Sequence, residues 1–407
     1  MEQSNNQPNT RATIAIFAVY FLAMGIGTVT PAMHSIIGHW SEQGVATSSI
    51  LLVNTLPTLA MVFTMMFIGP LVGKKIKYKA AAMLGCACFA LFGTMPAVFT
   101  DSFPFVLVCR ALFGVGLGLV MPLGNALVIG LYQGNRQATF LGYGSLVMNF
   151  GGIVLQMLGG TLSPTADTWN MCFWPHALGF VSLIMCVFIP EPEKPASKNP
   201  STATSKSKFP LYVWIGSAVL LLANMVNFAL LMNSSVWVSF TGADNVSFIA
   251  SVAVSCFTAG GMVSSLLFGN IYKKLGSKTV SLGVLCMAVG ALLVYICGTN
   301  QDFILGGFIV DGFGFSLVLT GINALVGAVV VPQQRTHAVS IVMASVSLGS
   351  FLSTYYLLCI VAPIFQGMGQ ANDVTGYYYG EFVAAIVVLL ILAVFTFSYD
   401  PTKHHND

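Results

Sequence analysis

Two ionisable residues and a handful of amides carry most of the chemistry this sequence offers. Arg110 is the only cation inside a long apolar stretch. Its permanent charge and forked N–H donors suit a carboxylate or phosphate on a bound solute. The alternative is a structural arginine that bonds the backbone of a neighbouring helix. Asp311 is the clearest embedded acid. A carboxylate held away from water is hard to ionise and can exchange a proton near working pH, as a proton carrier must. Its competing role is a static ion pair with Arg110. Glu381 opens the last apolar stretch after Tyr377, Tyr378 and Tyr379, where a proton site competes with a solvated helix end. His34 and His176 stand near the ends of such stretches, where a histidine is usually packed or wet.

Neutral polar residues fill out a candidate solute pocket around Arg110. Tyr20, Met24 and Thr28 recur at helical spacing, and Asn224 and Asn227 share one helix face. Asn149 and Gln156 lie only about 20° apart around a helix at roughly 100° per residue. Asn125 and Asn323 occupy matching positions in the two halves of the chain. For each of these, a hydrogen bond between helices is the structural alternative. Ser345, Ser347, Gly349, Ser350 and Ser353 read as a close-packing stripe rather than a binding surface. There is no HExxH, no pair of embedded carboxylates and no phosphate loop, so neither enzyme chemistry nor ATP hydrolysis is expected. The nine cysteines fall in or near apolar stretches without CxxC or other ligand spacing, and read as reduced, packed thiols. No metal or cofactor is expected.

The elements that must position these residues follow from composition. Of 407 residues, 56% are apolar and 7% are charged, against about a quarter charged in soluble domains. No water-facing surface can be built from that inventory. A bilayer-crossing helix needs about 20 apolar residues, and the sequence supplies twelve such spans, at about 13–36, 47–72, 80–100, 104–131, 139–162, 170–190, 211–235, 245–272, 279–298, 303–331, 338–363 and 378–398. The expected fold class is an all-α membrane protein of twelve transmembrane helices in two pseudo-symmetric six-helix bundles, residues 1–190 and 211–407. The Pro, Ser, Thr and Lys-rich segment 191–210 is a flexible linker between them. The first span is too long for a signal-peptide core and reads as an anchored helix.

Orientation comes from the basic residues, which cytoplasmic loops retain. Arg11, Lys74, Lys75, Lys77, Lys79, Arg136, Lys194, Lys198, Lys206, Lys208, Lys273, Lys274, Lys278, Arg335 and Lys403 all fall on one side, whereas Glu42, Asp101, Asp167, Asp244, Asp302 and Asp373 fall on the other. Both termini are therefore expected in the cytoplasm of a plasma membrane, the inner membrane in a bacterium. The net charge of +3 expresses this topology and not nucleic-acid binding.

The halves also repeat. Gly114-Val-Gly116 followed by Asn125-Ala-Leu-Val128 matches Gly312-Phe-Gly314 followed by Asn323-Ala-Leu-Val326, and the turn from Gly69 to Lys75 matches that from Gly269 to Leu275. Parallel repeats about an axis along the membrane normal put a solute site between the halves near mid-membrane.

On these residues the whole chain resembles the major facilitator superfamily. The turn with Gly69, Lys74, Lys77 and Lys79 is similar to that family's Gly-x-x-x-Asp-Arg/Lys-x-Gly-x-Arg/Lys-Arg/Lys motif, and its second copy keeps Gly269, Lys274, Gly276 and Lys278; Gly73 and Lys273 replace the acidic residue. Arg110-Ala-Leu-Phe-Gly114-Val-Gly116 resembles the Arg-x-x-x-Gly-x-Gly element of the 12-helix drug-proton antiporters and sugar-efflux permeases. The run Gly151 to Gly160 is similar to those antiporters' Gly-x-x-x-Gly-Pro-x-x-Gly-Gly, with Leu155 and Gln156 at the Gly-Pro positions. The resemblance implies that the first, fourth, seventh and tenth spans line a central cavity. It also implies that Gly69, Lys74, Lys77, Lys274 and Lys278 belong to a cytoplasmic gate, with setting the topology as the plainer role for the lysines. A charge at mid-bilayer costs at least about 2.5 kcal/mol, so Arg110 and Asp311 should face water or a partner.

The expected function is secondary active transport of a small organic solute by alternating access, as proton-coupled efflux. Substrate binding is assigned to Arg110, Tyr20, Thr28, Asn125, Asn149, Gln156, Asn224, Asn227 and Asn323, and proton coupling to Asp311 and Glu381. With Arg110 the lone embedded cation, import or exchange of an organic anion or zwitterion is the second reading. A solute sensor that moves nothing is a third, of another class. The expected partners are the solute, protons or another coupling ion and the lipid bilayer, with the chain acting as a monomer.

Overall fold

A computed structural model describes residues 10–73, 75–132, 134–192, 209–297, 300–330, 335–365 and 374–399. Most of the 191–210 linker, together with Lys74, lies outside the described residues. Where they are described, eleven single helices are long and apolar enough to cross a bilayer, and a bent pair makes a twelfth span. In chain order the spans are α1 (Thr10–Leu22 with Gly25–Glu42), α2 (Thr47–Ile68), α3 (Tyr78–Val98), α4 (Phe103–Leu131), α5 (Gly134–Leu162) and α6 (Ala166–Phe188). The second set is α7 (Leu211–Met232), α8 (Val246–Leu275), α9 (Lys278–Cys297), α10 (Gln301–Val329), α11 (Arg335–Tyr356, continuing to Phe365) and α12 (Val374–Ser398). The all-helical, twelve-span fold is the one expected. Helices are forced here because only intrahelical bonding satisfies a backbone surrounded by hydrocarbon.

The first span departs from its expected form by running on to Glu42 and bending by 49°. Gly25 and Gly27 weaken the helix there, and a tighter turn covers Gly25–Thr28. The Thr28 hydroxyl donates to the Gly25 carbonyl at 2.7 Å, giving the break its own partner.

The repeat in sequence is a repeat in packing. A Cβ on Gly114 would strike the carbonyl of Pro57 in α2, and one on Gly312 would strike the carbonyl of Phe257 in α8. Likewise Gly116 presses on the Gly85 carbonyl of α3, and Gly314 on the Gly283 carbonyl of α9. These glycines let helix axes approach to backbone contact, the device membrane helices use where no hydrophobic drive exists. Two short rows of small residues thus hold α4 to α2 and α3, and α10 to α8 and α9.

Because consecutive spans run in opposite directions, Arg11 at the start of α1, Lys75 and Lys77 between α2 and α3, and Lys273, Lys274 and Lys278 where α8 gives way to α9 fall at one end of the bundle, called the basic face below. The buried apolar residues form two clusters. One holds the end of the first half near the basic face, from Ala15 and Val19 to Phe113, Leu127 and Ile189. The other joins the far end of that half, including Val29, Ile36, Trp40 and Trp169, to the core of the second half. Among the described residues, the halves therefore share a core at the end away from the basic face.

Replacing Gly312 by Leu should overpack the α8–α10 contact and cost about 1–3 kcal/mol, read as a lower Tm of the purified protein in detergent. Gly306→Leu, in the same helix but facing open space, should leave the Tm unchanged or slightly raised.

Candidate functional site

The seam between the halves is built from small hydroxyl residues. The backbone N–H of His34 on α1 donates to Ser235 Oγ at 2.9 Å, and Ser35 Oγ lies 3.2 Å from Ser247 Oγ of α8. Thr55 of α2 meets Thr354 of α11 at 3.0 Å, and Ser251 donates to Met157 Sδ at 3.4 Å. Deeper in, Thr258 of α8 donates to Gln156 Oε1 of α5 at 3.4 Å. Each of these lies in the part of the membrane away from the basic face. Gly160 sets how closely α5 can approach α8, because a Cβ there would collide with the Ser247 carbonyl.

Gln156 is the expected site residue that sits on the seam. Its side chain packs against Gly27 in the break of α1 and meets Thr258 across the seam, and it is buried. It thus joins a weakened point of one helix to the opposite half. One face along, Asn149 is half-buried and donates to the Ser145 carbonyl of its own helix at 2.9 Å, leaving its amide oxygen available. Tyr20 donates to Asn125 Oδ1 at 2.7 Å, pinning α1 to α4, with the ring held against Gly124 and Gly144. Asn125 remains exposed although it lies well inside a span, whereas Asn323 is half-buried and donates to the Leu319 carbonyl at 2.9 Å. Thr28 is consumed by the α1 break.

Arg110 is turned into the interior of its own half. It is fully buried, its Nε donates to the Val53 carbonyl of α2 at 2.7 Å, and Cζ stands 4.4 Å from the Phe113 ring centroid and 5.9 Å from that of Phe173. Both terminal guanidinium nitrogens lack a hydrogen-bond partner. The ion pair with Asp311 considered from sequence is not formed. His176 lies in the same core, with Nδ1 2.9 Å from the Phe173 carbonyl.

Three amides of the seventh span organise the second half. Asn224 donates at 2.7 Å to both the Val346 carbonyl and Ser350 Oγ of α11. Asn227 donates to Asp311 Oδ2 of α10 at 2.7 Å, leaving Asp311 Oδ1 buried and unpartnered. Asn233, where the span breaks before the short helix Ser234–Ser239, donates to Glu381 Oε2 of α12 at 2.8 Å. Glu381 is fully buried with Oε1 unpartnered, which removes the solvated-end alternative. Beside it, the ring of Phe382 lies 4.1 Å from that of Trp237 in the short helix Ser234–Ser239. Asn233 escaped sequence reading because it falls at an expected helix end, where an amide usually meets water.

On the basic face, Lys77 and Lys274 are exposed, Lys278 is exposed and lies 4.8 Å from the Phe397 ring, and Gly69 opens a tight turn at the end of α2. Lys74 lies outside the described residues. The missing acid of the first turn has a neighbour in kind. Glu191, just past α6, accepts the backbone N–H groups of Tyr78 and Lys79 at 3.0 and 2.9 Å and so caps α3. A carboxylate at a helix N-terminus is stabilising, and here it ties α6 to α3.

A Ser35→Cys, Ser247→Cys pair should form a disulfide on mild oxidation, since the two hydroxyls already lie in contact. The check is a mobility shift of a chain cut in the linker, reversed by reductant. Adding Gly160→Leu should lower the crosslinked fraction severalfold by wedging α5 from α8.

The comparisons with known proteins agree with this architecture. The sequence pattern of the Major Facilitator Superfamily matches residues 12–354 and again 246–407. The quinolone resistance protein NorA of Staphylococcus aureus (strain COL) is 22% identical over 398 residues, covering 94% of this chain and 96% of that one. Multidrug resistance protein 2 of Bacillus subtilis (strain 168) is 23% identical over 330 residues, 75% and 76% of the two chains. Among solved structures, a bacterial homologue of the human lysosomal transporter Spinster, inward-facing and unoccupied, superposes with a TM-score of 0.76 at 16% identity, covering 96% and 97% of the chains. With its twelve spans, repeated glycine packing and matching sequence pattern, this chain belongs to the Major Facilitator Superfamily and is a non-enzymatic membrane transporter.

Proposed function

We propose that this transporter is a proton-driven antiporter that exports a small organic solute through a site on the seam between its halves. The observation that carries the proposal is the Asn227–Asp311 pair. A carboxylate deep in α10 has one oxygen held by α7 and the other without a partner, so binding a proton there relieves a buried charge. Glu381 repeats the arrangement through Asn233 at the far end of α7. Protonation of either acid weakens its pull on α7, and the short helix Ser234–Ser239 that follows α7 carries Ser235, which closes the seam on His34. Proton binding is thereby tied to opening.

The solute site in this proposal is the seam around Gln156, with Asn149, Tyr20 and Asn125 on the first half and Asn224 and Asn323 on the second. Residues 1–190 and 211–407 move as two bodies, and Gly69, Lys77, Lys274 and Lys278, with Lys74, form the gate at the other face. With both termini in the cytoplasm of a bacterial inner membrane, as the one-sided basic residues favour, the seam contacts lie on the outer side and the conformation is inward-facing. Export is supported by relatives named for quinolone and multidrug resistance. An importer of organic anions draws on Arg110 as substrate ligand, and that guanidinium faces the interior of the first half. The protein works as a monomer in this scheme, because the site lies within one chain.

The test is reconstitution in liposomes holding a pH-sensitive dye, screened with organic acids, sugars, amino acids and cationic drugs. A transported solute should move protons in the opposite sense. Asp311→Asn should bring pH-driven transport to background while solute counterflow continues. Glu381→Gln should lower the pH-driven rate without abolishing counterflow. Full pH-driven transport by Asp311→Asn would refute the proton role, and binding without counterflow in the wild type would make the chain a sensor.

A further inference from the structure

We propose that the first half holds a resident small monovalent anion of the halide class, bound by the terminal nitrogens of Arg110 inside its helical core. This goes beyond the transport reading and does not depend on it.

The argument starts from charge. Arg110 is permanently protonated at physiological pH and fully buried. Of its five N–H donors, the one on Nε is used by the Val53 carbonyl, and Nη1 and Nη2, with four, are unpartnered. The faces of Phe113 and Phe173 contribute attraction from the side, but a ring face is no substitute for four absent acceptors. A buried cation without a counter-charge is among the most costly arrangements a protein can carry.

Among the described residues, no side chain supplies that counter-charge. The ionisable side chains that act on Arg110 are Cys109, Cys172 and His176. The Cys172 thiol donates to the Trp169 carbonyl at 3.2 Å, so it holds its proton. His176 faces the Phe173 carbonyl through Nδ1 at 2.9 Å, which requires the proton on that nitrogen, and its Nε2 is buried and unpartnered. The described carboxylates of the first half, Glu42, Asp101 and Asp167, and Glu191 just past α6, stand at helix ends or in connections. Asp311 and Glu381 are bonded to Asn227 and Asn233 of the other half.

The geometry also selects the class of anion. Arg110, Phe113, Phe173, Cys172 and His176 are all fully buried, and the partners of Arg110, namely Val53, Phe113 and Phe173, all belong to the first half. An atom-sized anion, such as a halide, is the class that asks least room of so closely buried a core. An organic carboxylate would have to bring its carbon body into the same closed core.

The experiment uses the purified full-length wild type in detergent, with thermal unfolding followed in sodium chloride, sodium bromide, sodium acetate and sodium gluconate at one ionic strength. A ligand that binds only the folded state raises Tm saturably, so chloride and bromide should raise it by a few degrees relative to gluconate. Saturable broadening of the chlorine-35 resonance provides a second reading on the same protein. Arg110→Met replaces the buried charge by an apolar side chain of similar length, which cores often tolerate, and it should lose both effects. Arg110→Lys should weaken half-saturation at least severalfold, and serves if the Met variant fails to fold. Equal Tm in chloride and gluconate, or broadening that persists in Arg110→Met, overturns the proposal. Stabilisation by acetate alone also overturns it, by assigning the donors to a carboxylate ligand.

Discussion

Hydrocarbon offers no hydrogen bonds, and the rest of this structure is arranged around that fact. Backbone groups are satisfied by helices, and side-chain groups by partners on the next helix. The clearest case is α7, whose Asn224, Asn227 and the Asn233 at its broken end reach α11, α10 and α12 in turn. One helix therefore holds three others through amide donors, and two of the four acceptors are carboxylates. The acids can be tolerated in the membrane because the amides meet them, and each has one buried oxygen without a partner among the described residues.

The two kinds of helix contact differ in strength and in consequence. Inside each half, glycines bring backbones together, at Gly114 and Gly116 and again at Gly312 and Gly314, and large apolar areas are shared. Across the seam, the polar contacts described above each use a serine or threonine hydroxyl, as in Ser35–Ser247 and Thr55–Thr354. A neutral hydrogen bond contributes a net of only about 0.5–1.5 kcal/mol. Contacts of that size can exchange for others while the tightly packed halves persist, which is the mechanical requirement of a transporter that alternates between two openings.

Backbone symmetry is not matched by chemical symmetry. The first half contains the embedded cation, Arg110, and the second contains both embedded acids, Asp311 and Glu381. These charges do not neutralise one another across the seam. Each has its contacts within its own half: an amide donates to each acid, and a carbonyl and two aromatic rings meet the guanidinium without balancing its charge. Opening and closing the seam therefore need not break a strong ion pair between the halves.

Composition and periodicity are properties of the chain alone, and they determined the span count, the one-sided distribution of Lys and Arg and the internal repeat. A span needs a run of apolar residues, and topology needs only where the charges fall, so both are written locally. Asp311 and Glu381 could be singled out because an acid in an apolar run is rare. What the run could not specify was rotation. Arg110 lies on a span expected to line the cavity, yet the helix turns it toward α2 and α6. Glu381, at a nominal helix end, is covered by the broken end of α7. The seam itself was not legible, because a serine or threonine facing another helix looks in sequence like any other. Which face of each helix meets which neighbour depends on packing among residues far apart in the chain, and only the tertiary structure decided it.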